Sequence, residues 1–162
     1  MSSHVRTQIR EKVRLNLMNL DGVGRSVYSS RVFDVEKQKT PAICIYTTDE
    51  TSDAITMGCD RTMQREVLLV LDVYVKGVDF DIIGDNISAR IEENMHENMD
   101  ISGIAKDAVL TSTTAELSGE GAERMGVFTL TYTVMYHTKE SDPTTAILMQ
   151  AKMGLLRLEQ TF

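Results

Sequence analysis

Met63-Gln64-Arg65-Glu66-Val67-Leu68-Leu69-Val70-Leu71-Asp72-Val73-Tyr74-Val75-Lys76 is the stretch whose reading decides the fold. Met63, Val67, Leu69, Leu71, Val73 and Val75 share one face in period two, interrupted by Arg65. Leu68, Val70 and Tyr74 occupy the other face, interrupted by Asp72. Alternation of this kind is a strand signal. A strand apolar on both faces is expected at the centre of a sheet and covered on both sides.

Downstream, Arg124–Thr138 alternates more cleanly, with Phe128, Leu130, Tyr132, Val134 and Tyr136 inward and Thr129, Thr131 and Thr133 outward. Asp107–Ser118 is rich in Thr and Val without a continuous apolar face, as in a more exposed strand. Gly119–Glu123 between them reads as a hairpin tip. From about Phe80 to Met99, Phe80, Ile83, Ile87, Ile91 and Met95 fall on one helical stripe, with Asp79 as N-cap.

Upstream, Val5, Ile9, Val13, Leu17 and Leu20 mark a helix from about Ser3 to Leu20. Ser2 or Ser3 is its expected N-cap, and Gly22 its left-handed stop. Ser26–Phe33 and Ala42–Thr48 read as strands, the second starting after Pro41. Asp49–Asp60, full of Thr, Ser and Asp, reads as a loop. Each helix has one apolar stripe to bury, so the economical fold is α+β. It is a single mixed, largely antiparallel sheet of about five strands with two main helices packed on it, in the order α-β-β-β-α-β-β.

Residues 1–140 form the expected domain, and 141–162 a C-terminal arm or helix. Thr144–Phe162 carries Ile147, Leu148, Met149, Met153, Leu155, Leu156, Leu158 and Phe162, too much apolar side chain for a disordered tail. It is either a third helix on its own domain or an arm on a neighbouring subunit. At 162 residues the chain fits one core, and 42% hydrophobic with 25% charged residues is a globular composition. The absence of Trp and the ten Met leave aliphatic and Met side chains to fill that core. No run of roughly 18 apolar residues exists to span a bilayer, and the N-terminus has no secretory apolar region. A cytoplasmic site of synthesis follows, in which Cys44 and Cys59 are expected to stay reduced.

Catalytic chemistry finds little support. The only imidazole bases are His4, His96 and His137, and neither cysteine has a His neighbour in sequence. Glu93 and His96 share a helix face at metal-ligand spacing. A di-iron site, however, needs two such motifs and two further Glu in a bundle, so solvated helix surface is the expectation. Gly22-Val23-Gly24 follows a helix and lacks the third glycine of a dinucleotide fingerprint, and Glu120 would repel phosphate from Gly119-Glu120-Gly121. The acids of Thr48–Asp53 lack calcium-loop spacing. A net charge of −7 argues against a phosphate-gripping surface, although Arg6, Arg10, Lys12 and Arg14 crowd the first helix. No enzyme, no cofactor and no resident metal is expected.

One constellation remains. A helix of the form Ile9-Arg10-x-x-Val13-x-x-x-Leu17 leads to Val27-Tyr28-Ser29-Ser30-Arg31-Val32, then to Thr40-Pro41-Ala42-Ile43-Cys44-Ile45-Tyr46-Thr47 and Asp49-Glu50. This resembles the N-terminal half of bacteriophage tail terminator (tail completion, minor tail) proteins: a helix, a strand ending near Arg, and a Pro-initiated strand closing in a Thr/Asp/Glu loop. The resemblance is strongest over residues 5–76 and extends more loosely to about 139. Neck and connector proteins share much of the pattern.

The resemblance implies a virion structural protein of the head-proximal end of the tail, assembled in the host cytoplasm. Such proteins form a homo-oligomeric ring, typically a hexamer, that caps the tail tube, ends its polymerisation and presents a docking face to a neck or head completion protein. Viral DNA would pass through the lumen without specific binding, and no membrane is involved. The candidate interface residues are Asp49, Glu50 and Asp53 of the expected loop, Glu120 and Glu123 of the hairpin tip, and Ile147, Leu148, Leu155, Leu158 and Phe162 of the C-terminal segment. A neck connector or tail-tube component is the alternative, and a small ligand- or metal-binding α+β module the third reading.

Overall fold

A computed structural model describes residues 2–32, 34, 39–119 and 124–148. Of the expected features, the hairpin tip from Glu120 to Glu123 and the segment from Met149 onward, with Leu155, Leu158 and Phe162, lie outside the described residues. The elements run α1 (Val5–Leu17), β1 (Val27–Tyr28), β2 (Ala42–Ala54), β3 (Thr62–Lys76), α2 (Phe80–Glu97), β4 (Asp107–Ser118), β5 (Met125–Lys139) and β6 (Asp142–Ala146). The sheet orders them β1-β2-β3-β5-β4, with β6 on β5. Among the described strands only the β1–β2 pairing is parallel, so the α+β, largely antiparallel reading holds.

The centre is β3 against β5, in unbroken register from Thr62↔Lys139 to Lys76↔Met125. Val67 meets Val134, Leu69 meets Tyr132, Leu71 meets Leu130 and Val73 meets Phe128, and all eight side chains are buried. On this face α1 contributes Val5, Ile9, Val13 and Leu17, and α2 contributes Ile87, Ile91 and Met95. Burying each aliphatic side chain here contributes on the order of 2 kcal/mol, the main source of cohesion. The expectation that both faces of β3 are covered holds in part. Both helices belong to the core on the Val67–Val75 face; on the other face Val70 and Asp72 are buried, Asp72 held by Tyr46 and Thr129, while Leu68 and Tyr74 stay half-exposed.

Three boundaries moved, each for a physical reason. The expected loop from Asp49 is strand as far as Ala54, which pairs with Met63, so only the 55–61 stretch links β2 to β3. Its polar composition marks a strand half exposed to water, not a break in the ladder. The expected strand Ser26–Phe33 shrinks to Val27–Tyr28, because Arg31 turns to bond β2 from the side. α1 stops at Leu17, where Asn19 takes the left-handed conformation (φ 65°) ahead of Gly22 (φ 89°). Its cap is His4, not Ser2 or Ser3: the imidazole Nδ1 accepts the Arg6 N–H at 3.1 Å.

α2 ends at Glu97, and Asp79 flanks it without a side-chain cap bond. The helix lies unusually close to β5. A Cβ on Gly84 would stand 2.0 Å from the Phe128 ring, and one on Gly126 would stand 2.3 Å from Phe80. Two glycines thus make room for two tilted phenyl rings whose centroids are 6.3 Å apart. The segment expected as an arm or a third helix begins as strand: Asp142–Ala146 pairs with β5, and the Ile147 N–H donates to the His137 carbonyl at 2.8 Å.

Candidate functional site

The ladder between β2 and β3 slips between Thr47 and Glu50. Such a bulge reverses which residues face the core. Ahead of it Ile43, Ile45 and Thr47 point to the helices; beyond it Glu50 does. Glu50 therefore enters the core side as a carboxylate whose side chain is only 5% exposed.

Its oxygens are fully engaged. Oε1 accepts from Arg6 Nη1 at 3.2 Å and from Arg65 Nη1 at 3.1 Å, and Oε2 accepts the Tyr136 hydroxyl at 2.5 Å. Arg65 also donates through Nε to Thr138 Oγ1 at 3.0 Å. Burial, then the hydrogen bond to Glu50, pushes the Tyr136 phenol well above its ordinary range. Burial, then the neighbouring Arg6, holds the His4 imidazole below its ordinary value. Two guanidiniums against one carboxylate leave a positive balance at this end of α1.

One turn further along α1 the positive character continues into an open cleft of about 300 Å³, lined by Arg10, Ser29, Ser30, Arg31, Tyr46 and Thr47 among others. Arg10 donates to the hydroxyls of Thr47 (2.8 Å) and Thr7 (3.2 Å). Arg31 donates to the Thr47 carbonyl at 2.5 Å and lies over the Tyr46 ring, 5.4 Å from its centroid. Tyr46 in turn donates to Asp72, which also accepts from Thr129 at 2.7 Å. Burial, then Asp72, pushes the Tyr46 phenol up to about 12.

Of the candidate interface residues, Asp49 and Asp53 are exposed on β2, whereas Glu50 is the buried centre just described. Ile147 is half-buried beside β5. Leu148 is exposed and borders a depression of about 550 Å³ with Gln8, Ile104 and Thr144. Glu120, Glu123, Leu155, Leu158 and Phe162 fall outside the described residues. The arginines Arg10 and Arg31 were missed as a pair; the only signals were the crowding of cations on α1 and the Arg that closes the Ser29-Ser30-Arg31 run.

Cys44 is fully buried, and burial, then Asp72, pushes its thiol up to about 11, so it stays protonated at neutral pH. Cys59 is exposed, and both thiols are free. Among the described residues no group of three or more His, Cys, Asp or Glu side chains is placed to hold a metal ion, and Glu93 and His96 face solvent. No described helix is long and apolar enough to cross a membrane.

No protein-family model matches the chain, and no curated protein sequence matches it. Among solved structures, a chain from the virion of a native gene transfer agent (GTA) particle superposes with a TM-score of 0.51 at 11% identity. The match covers 84% of this chain and 100% of that chain. The similarity is one of fold. It takes in the whole of the virion component and leaves only a minor part of the present chain unmatched.

Proposed function

We propose that this chain is a phage-type virion structural protein that forms a ring at the head-proximal end of the tail tube, ends tube growth and presents the head-docking face. The observation that carries this reading is the fold it shares with a whole chain of the GTA virion particle. The tail-terminator resemblance over residues 5–76 supplies the finer role, and with it the hexamer, the tube and neck partners, and passage of DNA through the lumen. A protein of this kind works by shape and contact, so no catalytic role is proposed.

The sheet suits such a role. β4 forms one side of the ordered sheet with an outer edge that no other described strand pairs, and its outer half is exposed on both faces beside β5. Long strands that leave the body of a domain in this way are suited to contacts between subunits. They equally suit a tail-tube component, the second reading, because a tube subunit must also contact the ring above it.

Polymerisation separates the two. Purified protein would be weighed by native mass spectrometry over a concentration series and imaged by negative stain, then added to growing cognate tail tubes. Closed rings that arrest tube growth are expected. Open stacks or tubes would move the assignment to the tube component, and failure to arrest growth would remove the capping role.

A further inference from the structure

Among the described residues five arginines have a carboxylate partner: Arg6 and Arg65 with Glu50, Arg14 with Glu11, Arg61 with Glu140 and Arg90 with Asp21. Arg10 and Arg31, like Arg25 and Arg124, have none among the described residues, in a chain that carries 24 acids to 17 lysines and arginines. Both are nonetheless held in place, on Thr47, Thr7 and the Tyr46 ring, and both line one open cleft. Guanidiniums fixed this way lose little freedom on binding and keep spare N–H donors for an oxyanion.

The complementary feature lies toward the opposite edge of the sheet, on the same face. α1 packs on β1, β2 and β6, and α2 on β3, β4 and β5. Asp81, Asp85 and Glu92 are exposed on α2 and, spaced four and seven apart, fall along one flank of it. That flank faces the outer β4 edge, since Glu92 borders a depression with Asp107 and Val109 of β4. None of the three has an ion-pair partner among the described residues.

We propose that the Arg10–Arg31 cleft of one copy receives carboxylates of the α2 flank, Asp85 and Glu92, from the next copy. A basic cleft at the β1–β2 side and an acidic stripe at the β4 side are unlike surfaces on opposite sides of one domain. They make a heterologous contact, the kind that closes into rings. The inference deepens the ring reading and rests on it for closure.

The test uses charge reversal in the full chain. Arg10→Glu with Arg31→Glu, and separately Asp85→Lys with Glu92→Lys, would each be followed by sedimentation and native mass spectrometry. Thermal melts and an Arg10→Gln, Arg31→Gln variant control for folding. Each reversed protein is expected to associate about a hundredfold more weakly than wild type, and a one-to-one mixture to reassemble with the two alternating. Rings that form regardless of either reversal would overturn the pairing and leave the ring reading intact. So would loss of assembly in the cleft variant alone, since another acid would then be the partner. Inorganic phosphate that dissociates the rings by occupying the cleft supports the pairing; phosphate that binds there while rings persist overturns it. A wild-type protein that stays monomeric even with tail tubes present defeats both readings.

Discussion

The Tyr136 hydroxyl donates to Glu50 Oε2 at 2.5 Å, joining residues 86 positions apart across β3. Glu50 is simultaneously the only carboxylate paired with Arg6 and Arg65 among the described residues, so one side chain ties α1, β2, β3 and β5 together. Removing its charge leaves two guanidiniums facing each other with no counter-ion. Glu50→Gln is expected to cost about 3 kcal/mol in denaturant unfolding, and Tyr136→Phe about 1 kcal/mol. A double-mutant cycle should show coupling of about 1 kcal/mol; additivity would mean the hydroxyl contributes independently of the carboxylate.

The closeness of α2 to β5 gives a steric prediction. Gly84→Ala places a methyl 2.0 Å from the Phe128 ring, with no allowance unless the helix lifts. A loss of about 2–3 kcal/mol is expected, more than helix propensity alone would give back. Phe128→Leu should relieve part of that loss in the double variant. If Gly84→Ala raises the melting temperature, the packing at this point is looser than described.

The two thiols should differ sharply in reactivity. Cys59 is exposed, while Cys44 is buried with its thiol raised to about 11. A chromogenic disulfide reagent at pH 8 is expected to modify Cys59 within the mixing period and Cys44 only on the timescale of unfolding. Fast modification of both would show that the strand around Cys44 opens locally.

The elements read correctly from sequence are those whose packing imposes a repeat. β3 and β5 hold one register over their full length, so period two survives along each, and both helices keep a clean apolar stripe. β2 has no such repeat beyond Thr47. Its outer half is exposed, and the bulge reverses parity at the point where a count by twos would have continued. A count by twos therefore makes Glu50 a loop acid. A signal did exist: Arg65 interrupts an otherwise apolar face of β3, and an arginine there requires a buried carboxylate. Its partner could not be chosen from the sequence, because register across a bulge decides it. The cleft was illegible for a related reason, since Arg10 and Arg31 converge only through their separate bonds to Thr47.

Stability should fall at both ends of the pH scale, for opposite reasons. Burial, followed by Asp72 for Tyr46 and by Glu92 for Tyr132, raises both phenols to about 12, and Tyr136 is raised as well. The folded state then holds these protons more tightly than the unfolded chain, whose tyrosines titrate near 10. Their contribution is complete below about pH 10 and is lost as pH climbs toward about 12. At the acid end His137 is 1% exposed, and neither ring nitrogen has a hydrogen-bond partner among the described residues. Burial, then the nearby Lys106, lowers its pKa, so the fold favours the neutral ring. That preference contributes above about pH 6.5 and is lost as pH falls through the depressed folded value. His137→Leu removes a buried polar group without a partner and is expected to be neutral or stabilising at pH 7, and to flatten the stability profile as pH falls below about 6.5. Denaturant midpoints across that range would decide the matter: a variant as acid-sensitive as wild type would show that His137 does not carry the effect.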